Sequence, residues 1–212
     1  MLFRAFSYIL AAFLVAVAAI TAGAQAVVTS GSYDSLLLAV DQKGELTGYF
    51  YETTGMDEKG RPRFTCAFLV YGTQADEGRY EIKTWHPIAP DEVIEGEITT
   101  VENDGEKAVR VKLDGEHGGC WNVAPMLSDD EGVQYELSSV SNWESVRLAA
   151  SSKVYFHRTA DKKTRLKTYI VRNDVVRIYK SSGDWADAEF INKDGKSVRG
   201  WLLLADLASN RP

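Results

Sequence analysis

From Ser32 to Leu207 the chain is written in apolar runs of four to six residues, separated by Gly, Asn and Asp, and nowhere does a 3.6-residue period persist. That pattern excludes amphipathic helices as the framework and leaves short, half-buried strands. Ser35-Leu36-Leu37-Leu38-Ala39-Val40, the turn Asp41-Gln42-Lys43-Gly44 and Leu46-Thr47-Gly48-Tyr49-Phe50-Tyr51 read as one hairpin. Residues 63–71, 80–85, 92–99, 108–113 and 133–137 supply further strands, most with one apolar and one charged face. Seven or so meandering strands in about 110 residues predict an antiparallel barrel or a curved sandwich. The last quarter repeats the pattern on a smaller scale. Its runs Val154–Phe156, Tyr169–Val171, Val175–Tyr179, Ala188–Ile191 and Trp201–Leu204 are split by Asn173-Asp174, Gly183-Asp184 and Asp194-Gly195. The fold class is therefore all-β, with a second, small barrel following the first.

The chain opens Met1-Leu2-Phe3-Arg4 and continues apolar to about Ile20, followed by Ala22-Gly23-Ala24 and Ala24-Gln25-Ala26. One basic residue, a short apolar stretch and small-x-small sites are the marks of a cleaved signal peptide over residues 1–26. The apolar run is shorter than the roughly 20 residues that span a bilayer, and no Cys follows it for lipid attachment. The expected location is periplasmic or secreted, with no membrane contact after cleavage.

Charge divides what remains. Residues 27–145 carry 23 Asp and Glu against nine Lys and Arg, a net of −14; residues 146–212 carry seven against 14, a net of +7. The expected organisation is an acidic domain over 27–141, a link over 142–150 and a basic domain over 151–212. Such asymmetry points to partners of opposite sign, or to the halves docking on each other. In an oxidising compartment Cys66 and Cys120 are expected to form a disulfide. It closes a loop of about 55 residues, worth roughly 4 kcal/mol on the loop-entropy model.

Within the basic half, Asn173-Asp174-Val175-Val176, Gly183-Asp184-Trp185, Gly200-Trp201 and Asp206-Leu207 stand in an order that resembles the bacterial SH3 domain of cell-envelope proteins, over residues 153–207. The resemblance implies a binding module and not a catalyst. It implies a mainly structural Trp201, with the ligand taken between the long first loop and the later turns. Tyr155, Tyr169 and Trp185 are the candidate aromatic walls there. The loop His157–Arg165 is strongly basic, whereas family members that bind proline-rich peptides with a basic anchor carry acidic residues in it. Lys162, Lys163 and Arg165 therefore favour an anionic ligand, such as a cell-wall peptide or the acidic face of an envelope protein.

Other chemistry lacks its residues. His86, His117 and His157 have no partners at zinc-ligand spacing. His117, in Asp114-Gly115-Glu116-His117-Gly118-Gly119-Cys120, would need a free Cys120 to make a nucleophile pair, and reads as an ordinary loop histidine. There is no phosphate-cradling glycine loop, no G-x-S-x-G elbow and no calcium loop. No catalytic residue, metal or cofactor is expected, and an exported chain has little occasion to meet nucleic acid. The alternative function is an inhibitor or immunity-like protein, whose acidic domain covers a basic secreted hydrolase.

Overall fold

A computed structural model of the protein describes residues 28–103 and 105–212; the segment expected as a signal peptide lies outside them. The chain is all-β. Its first part runs through β1 (Gly31–Tyr33), β2 (Leu36–Val40), β3 (Glu45–Met56), β4 (Pro62–Asp76), β5 (Arg79–His86), β6 (Ala89–Asn103), β7 (Glu106–Leu113) and β8 (Val133–Val140). Each strand pairs antiparallel with the next, and β8 returns to β1 with Gly31 opposite Val140, so the barrel closes. Eight strands are present where about seven were expected. The extra one, β1, is three residues long, too short to show a period.

One turn device is used at three hairpins. Asp41, Asp57 and Asn192 each accept the backbone N–H groups two and four residues on through a single side-chain oxygen. Each also pairs its own N–H with the carbonyl four residues on. The residue before that carbonyl is Gly44, Gly60 or Gly195, at φ 79, 69 and 76 degrees. An Asx side chain that mimics a turn, followed by a left-handed glycine, makes a compact hairpin end. Inside the barrel, alternate side chains from every strand form one core, with Phe50 stacked on Phe68 at 4.8 Å and Tyr33, Tyr80 and Tyr135 around them.

The second part is a six-stranded antiparallel sheet of β9 (Ser145–Leu148), β10 (Val154–His157), β11 (Arg165–Ile170), β12 (Val175–Ser182), β13 (Trp185–Ile191) and β14 (Ser197–Leu203). Their order across the sheet is β11-β10-β14-β13-β12-β9. Val154, Phe156, Ile170, Val176, Ile178, Ala186, Ala188, Leu202 and Leu207 form its core. Residues 142–150, expected as a link, are used differently. Four of them are β9, paired with β12 from Leu148 opposite Val175 to Ser145 opposite Ile178.

The same strand carries the contact between barrel and sheet. Val146 and Trp143 pack with Ala39, Leu37 and Tyr49; Leu148 packs with Leu69, Trp85 and Tyr71, and Val175 bridges the two groups. This is why Leu36–Val40 and Cys66–Val70 are continuously apolar: those strands are covered on both faces. The outer edge of β9 is satisfied as well. The Val146 N–H donates to the Thr47 hydroxyl at 3.0 Å, and the Leu148 carbonyl accepts from the Ala208 N–H at 2.8 Å. Among the described residues no helix is long and apolar enough to cross a membrane.

Candidate functional site

The β10–β11 hairpin brings most of the expected binding residues together. Tyr155 stands directly opposite Tyr169, with ring centroids 5.5 Å apart and planes tilted by 56 degrees. The Arg165 guanidinium lies over the Tyr155 ring at 4.6 Å, and the Lys153 ammonium over the Tyr169 ring at 4.7 Å. Cations and rings thus alternate as Lys153, Tyr169, Tyr155, Arg165. A guanidinium over a ring gives up part of its hydration there while its other N–H groups can still serve an anion.

An open cleft of about 400 Å³ runs beside this ladder, lined by Tyr155, His157, Lys162, Arg165, Leu203 and Asp206. The loop on its basic side is held in shape by its own hydrogen bonds. Asp161 accepts the Lys163 N–H at 2.9 Å and caps the single 3-10 turn Lys162–Thr164. The Thr164 hydroxyl lies 2.8 Å from the Asp161 carbonyl, and the Arg158 N–H donates to the Thr164 carbonyl at 3.1 Å. A loop ordered before binding loses less entropy on binding.

Three expected residues do not line the cleft: Tyr169 stands next to it on the hairpin, and Lys163 and Trp185 take other places. Lys163 is exposed on the loop and is not among the side chains that line the cleft. Trp185 stands beside the cleft on the same face of the sheet, paired opposite Leu203 with its ring against His157 at 4.8 Å, but does not line it. His157 is the residue that sequence reasoning passed over. It is 6% exposed, lines the cleft, and its Nδ1 is buried with no hydrogen-bond partner in the protein. The signal was there: in Val154-Tyr155-Phe156-His157 a two-residue period sets His157 on the side of Tyr155. Gly200 lets β14 approach at this point, since a Cβ there would sit 2.9 Å from the His157 carbonyl oxygen.

In the barrel, Cys66 and Cys120 form the expected disulfide, Cα atoms 4.4 Å apart. His117, expected as an ordinary loop residue, is instead 4% exposed and stacks on Phe68 at 5.0 Å. Its Nε2 is 2.8 Å from the Thr84 hydroxyl, which donates its one proton to the Ile94 carbonyl at 3.0 Å. The imidazole must therefore be the donor, with its proton on Nε2. Burial, and then the charge of His86, push its pKa down to about 4.

Among the described residues no three His, Cys, Asp or Glu side chains converge as a metal site would require. No protein-family model matches the chain, and comparison with curated proteins and with solved structures returned no match.

Proposed function

We propose that the chain is an exported, non-enzymatic binding protein that takes an anionic peptide, or the acidic face of an envelope protein, in the cleft beside β10 and β11. The observation that carries this reading is the Arg165 guanidinium over the Tyr155 ring beside Lys162, two cations and an aromatic ring against one carboxylate, Asp206, on an open cleft. Cell-wall peptides with free carboxylates have the matching chemistry. Export is supported by the apolar leader with its small-residue sites and by a disulfide in the barrel. The SH3-like part of the reading rests on the order of the residue fragments over 153–207.

Because each ring carries a cation, the two kinds of residue act as one unit. Retention of the full-length protein on purified cell-wall sacculi should fall roughly tenfold, about 1.4 kcal/mol, in both Arg165→Ala and Tyr155→Ala. The double variant should lose clearly less than the sum, as contacting residues do. Arg165→Ala should also flatten the salt dependence of retention. Unchanged retention in Arg165→Ala, Lys162→Ala, Tyr155→Ala and Tyr169→Ala would remove the cleft from the function.

A further inference from the structure

The β3–β4 hairpin outruns the barrel. Its pairing with β2 ends at Phe50, and its pairing with β5 starts at Leu69, yet β3 and β4 stay paired out to Met56 opposite Pro62. Beyond the rim they form a two-stranded arm, and the segment after His117 is fastened to it. Cys120 is bonded to Cys66, and Gly119 backs onto the Thr65 carbonyl so closely that a Cβ would lie 2.5 Å from it. Trp121, next to that bond, is 65% exposed, and Met126 is 58% exposed. Phe64, two residues from Cys66 on the same strand face, and Met56 at the tip are exposed too. Scattered apolar side chains on a surface need no cause, but a Trp and its apolar neighbours held out on a disulfide-braced loop have the make-up of an interface anchor.

The surroundings set the sign of the partner. Glu52 is paired opposite Cys66, and its charge, with that of Asp34, acts on Tyr135 just inside the mouth. Glu116, exposed just before the fastened segment, and Asp129 and Glu131, which follow it, add carboxylates, while Asp130 is paired with Lys112 at 3.8 Å. On the arm's tip, Arg61 is engaged by Asp57 at 2.8 Å, which leaves Lys59 and Arg63 as the opposing charges. Residues 27–145, to which the arm belongs, carry a net of −14.

We infer that this arm and its braced loop are a second interaction surface, which docks a cationic protein face by seating apolar side chains on Trp121, Met126 and Phe64 inside a carboxylate rim. It shares no residue with the cleft of the second sheet. Anionic lipid and nucleic acid are disfavoured by the rim, and a second copy, whose basic half carries +7, is told apart from a different protein by sedimentation.

The test uses the full-length protein and three soluble peptides of equal length: alternating Arg and Leu, all Lys, and alternating Glu and Leu. Binding is followed by calorimetry and by protection of tryptophan fluorescence from acrylamide. The Arg–Leu peptide should bind at least tenfold more tightly than the Lys peptide, and the Glu–Leu peptide should not bind. Trp121→Ala should weaken the Arg–Leu complex about tenfold, Trp121→Phe should retain most of it, and Glu52→Gln with Glu131→Gln should reduce its salt dependence. Arg165→Ala, in the other site, should leave it unchanged. Equal binding of the Arg–Leu and Lys peptides, or indifference to Trp121→Ala in a protein whose circular dichroism is intact, would overturn the proposal. So would sedimentation showing a dimer that Trp121→Ala dissolves, since the surface would then serve self-association.

Discussion

The barrel and the second sheet are built from the same antiparallel pairing but finish it differently. The barrel closes on itself, with three strands of 12 to 15 residues, a core of large aromatics and a disulfide at one mouth. The sheet has no strand longer than eight residues and no crosslink, and it leans one edge strand on the barrel. Their charges are opposite, yet charge does little of the joining. The contact is made by Leu37, Ala39, Tyr49, Leu69, Trp85, Val146, Leu148 and Val175. At its margin Arg211 pairs with Glu45 and covers Tyr71. Arg147 and Arg177, half-buried near it, have guanidinium pKa values lowered by desolvation. Opposite charge left unspent on docking stays available to partners. This fits an anionic ligand on one side and a cationic one on the other.

That comparison can be strained at three points. The largest effect is expected from Cys66→Ser with Cys120→Ser, which should lower stability by about 4 kcal/mol on the loop-entropy model. Urea unfolding followed by far-ultraviolet circular dichroism reads the loss. A loss under 1 kcal/mol would mean that the closed hydrogen-bonded wall, rather than the crosslink, holds the barrel's mouth.

Acid should act next, through His117. Its folded pKa of about 4 lies below the 6.5 of the free side chain. Between those values the unfolded chain binds the proton and the folded chain does not. Stability is therefore full above pH 6.5, falls as the pH drops toward 4, and the loss approaches about 3 kcal/mol. Comparing urea midpoints at pH 7.5 and 4.5 for the parent and for His117→Phe separates this from the carboxylates. An unchanged pH dependence in His117→Phe would put the acid sensitivity elsewhere.

The smallest effect is expected from Val146→Ala at the contact, about 2 kcal/mol from lost burial and a partly unfilled space. Here the number of transitions matters more than the size. If the barrel and sheet unfold as one unit, a single transition moves earlier. If the contact merely joins two independent units, the sheet's transition separates from the barrel's and only the former moves.

Much of this architecture could be read from residue order alone. The period-two runs located seven of the barrel strands and five of the sheet strands, and two cysteines in one strand-rich stretch gave the crosslink. Ser145–Leu148 went unread as a strand because four residues between Asn142 and Ser151 look like a link, although Val146 and Leu148 alternate as a strand's would. At the cleft, the basic loop and the two tyrosines were legible as charge and aromatics. That each tyrosine lies under a cation was not, because the register shifts after the Tyr155–Tyr169 pair and brings Arg165 opposite His157. His117 was misjudged because glycines on both sides suggest a surface loop. Its burial depends on Phe68 and Thr84, more than 30 residues away.

The order β11-β10-β14-β13-β12-β9 leaves the molecule with an asymmetric capacity for growth. The closed barrel wall offers strand edges only where the β3–β4 arm runs past it, and in the second sheet β9 has its outer edge turned to Thr47 and Ala208. Within that sheet β11 is left as the open margin, with Arg165 and Lys167 set along it as charges that discourage pairing. A polymer of added strands needs two free margins on every unit. The second sheet has one, so two chains that met through β11 would use up each other's capacity in that sheet, and assembly by this route would stop at a pair.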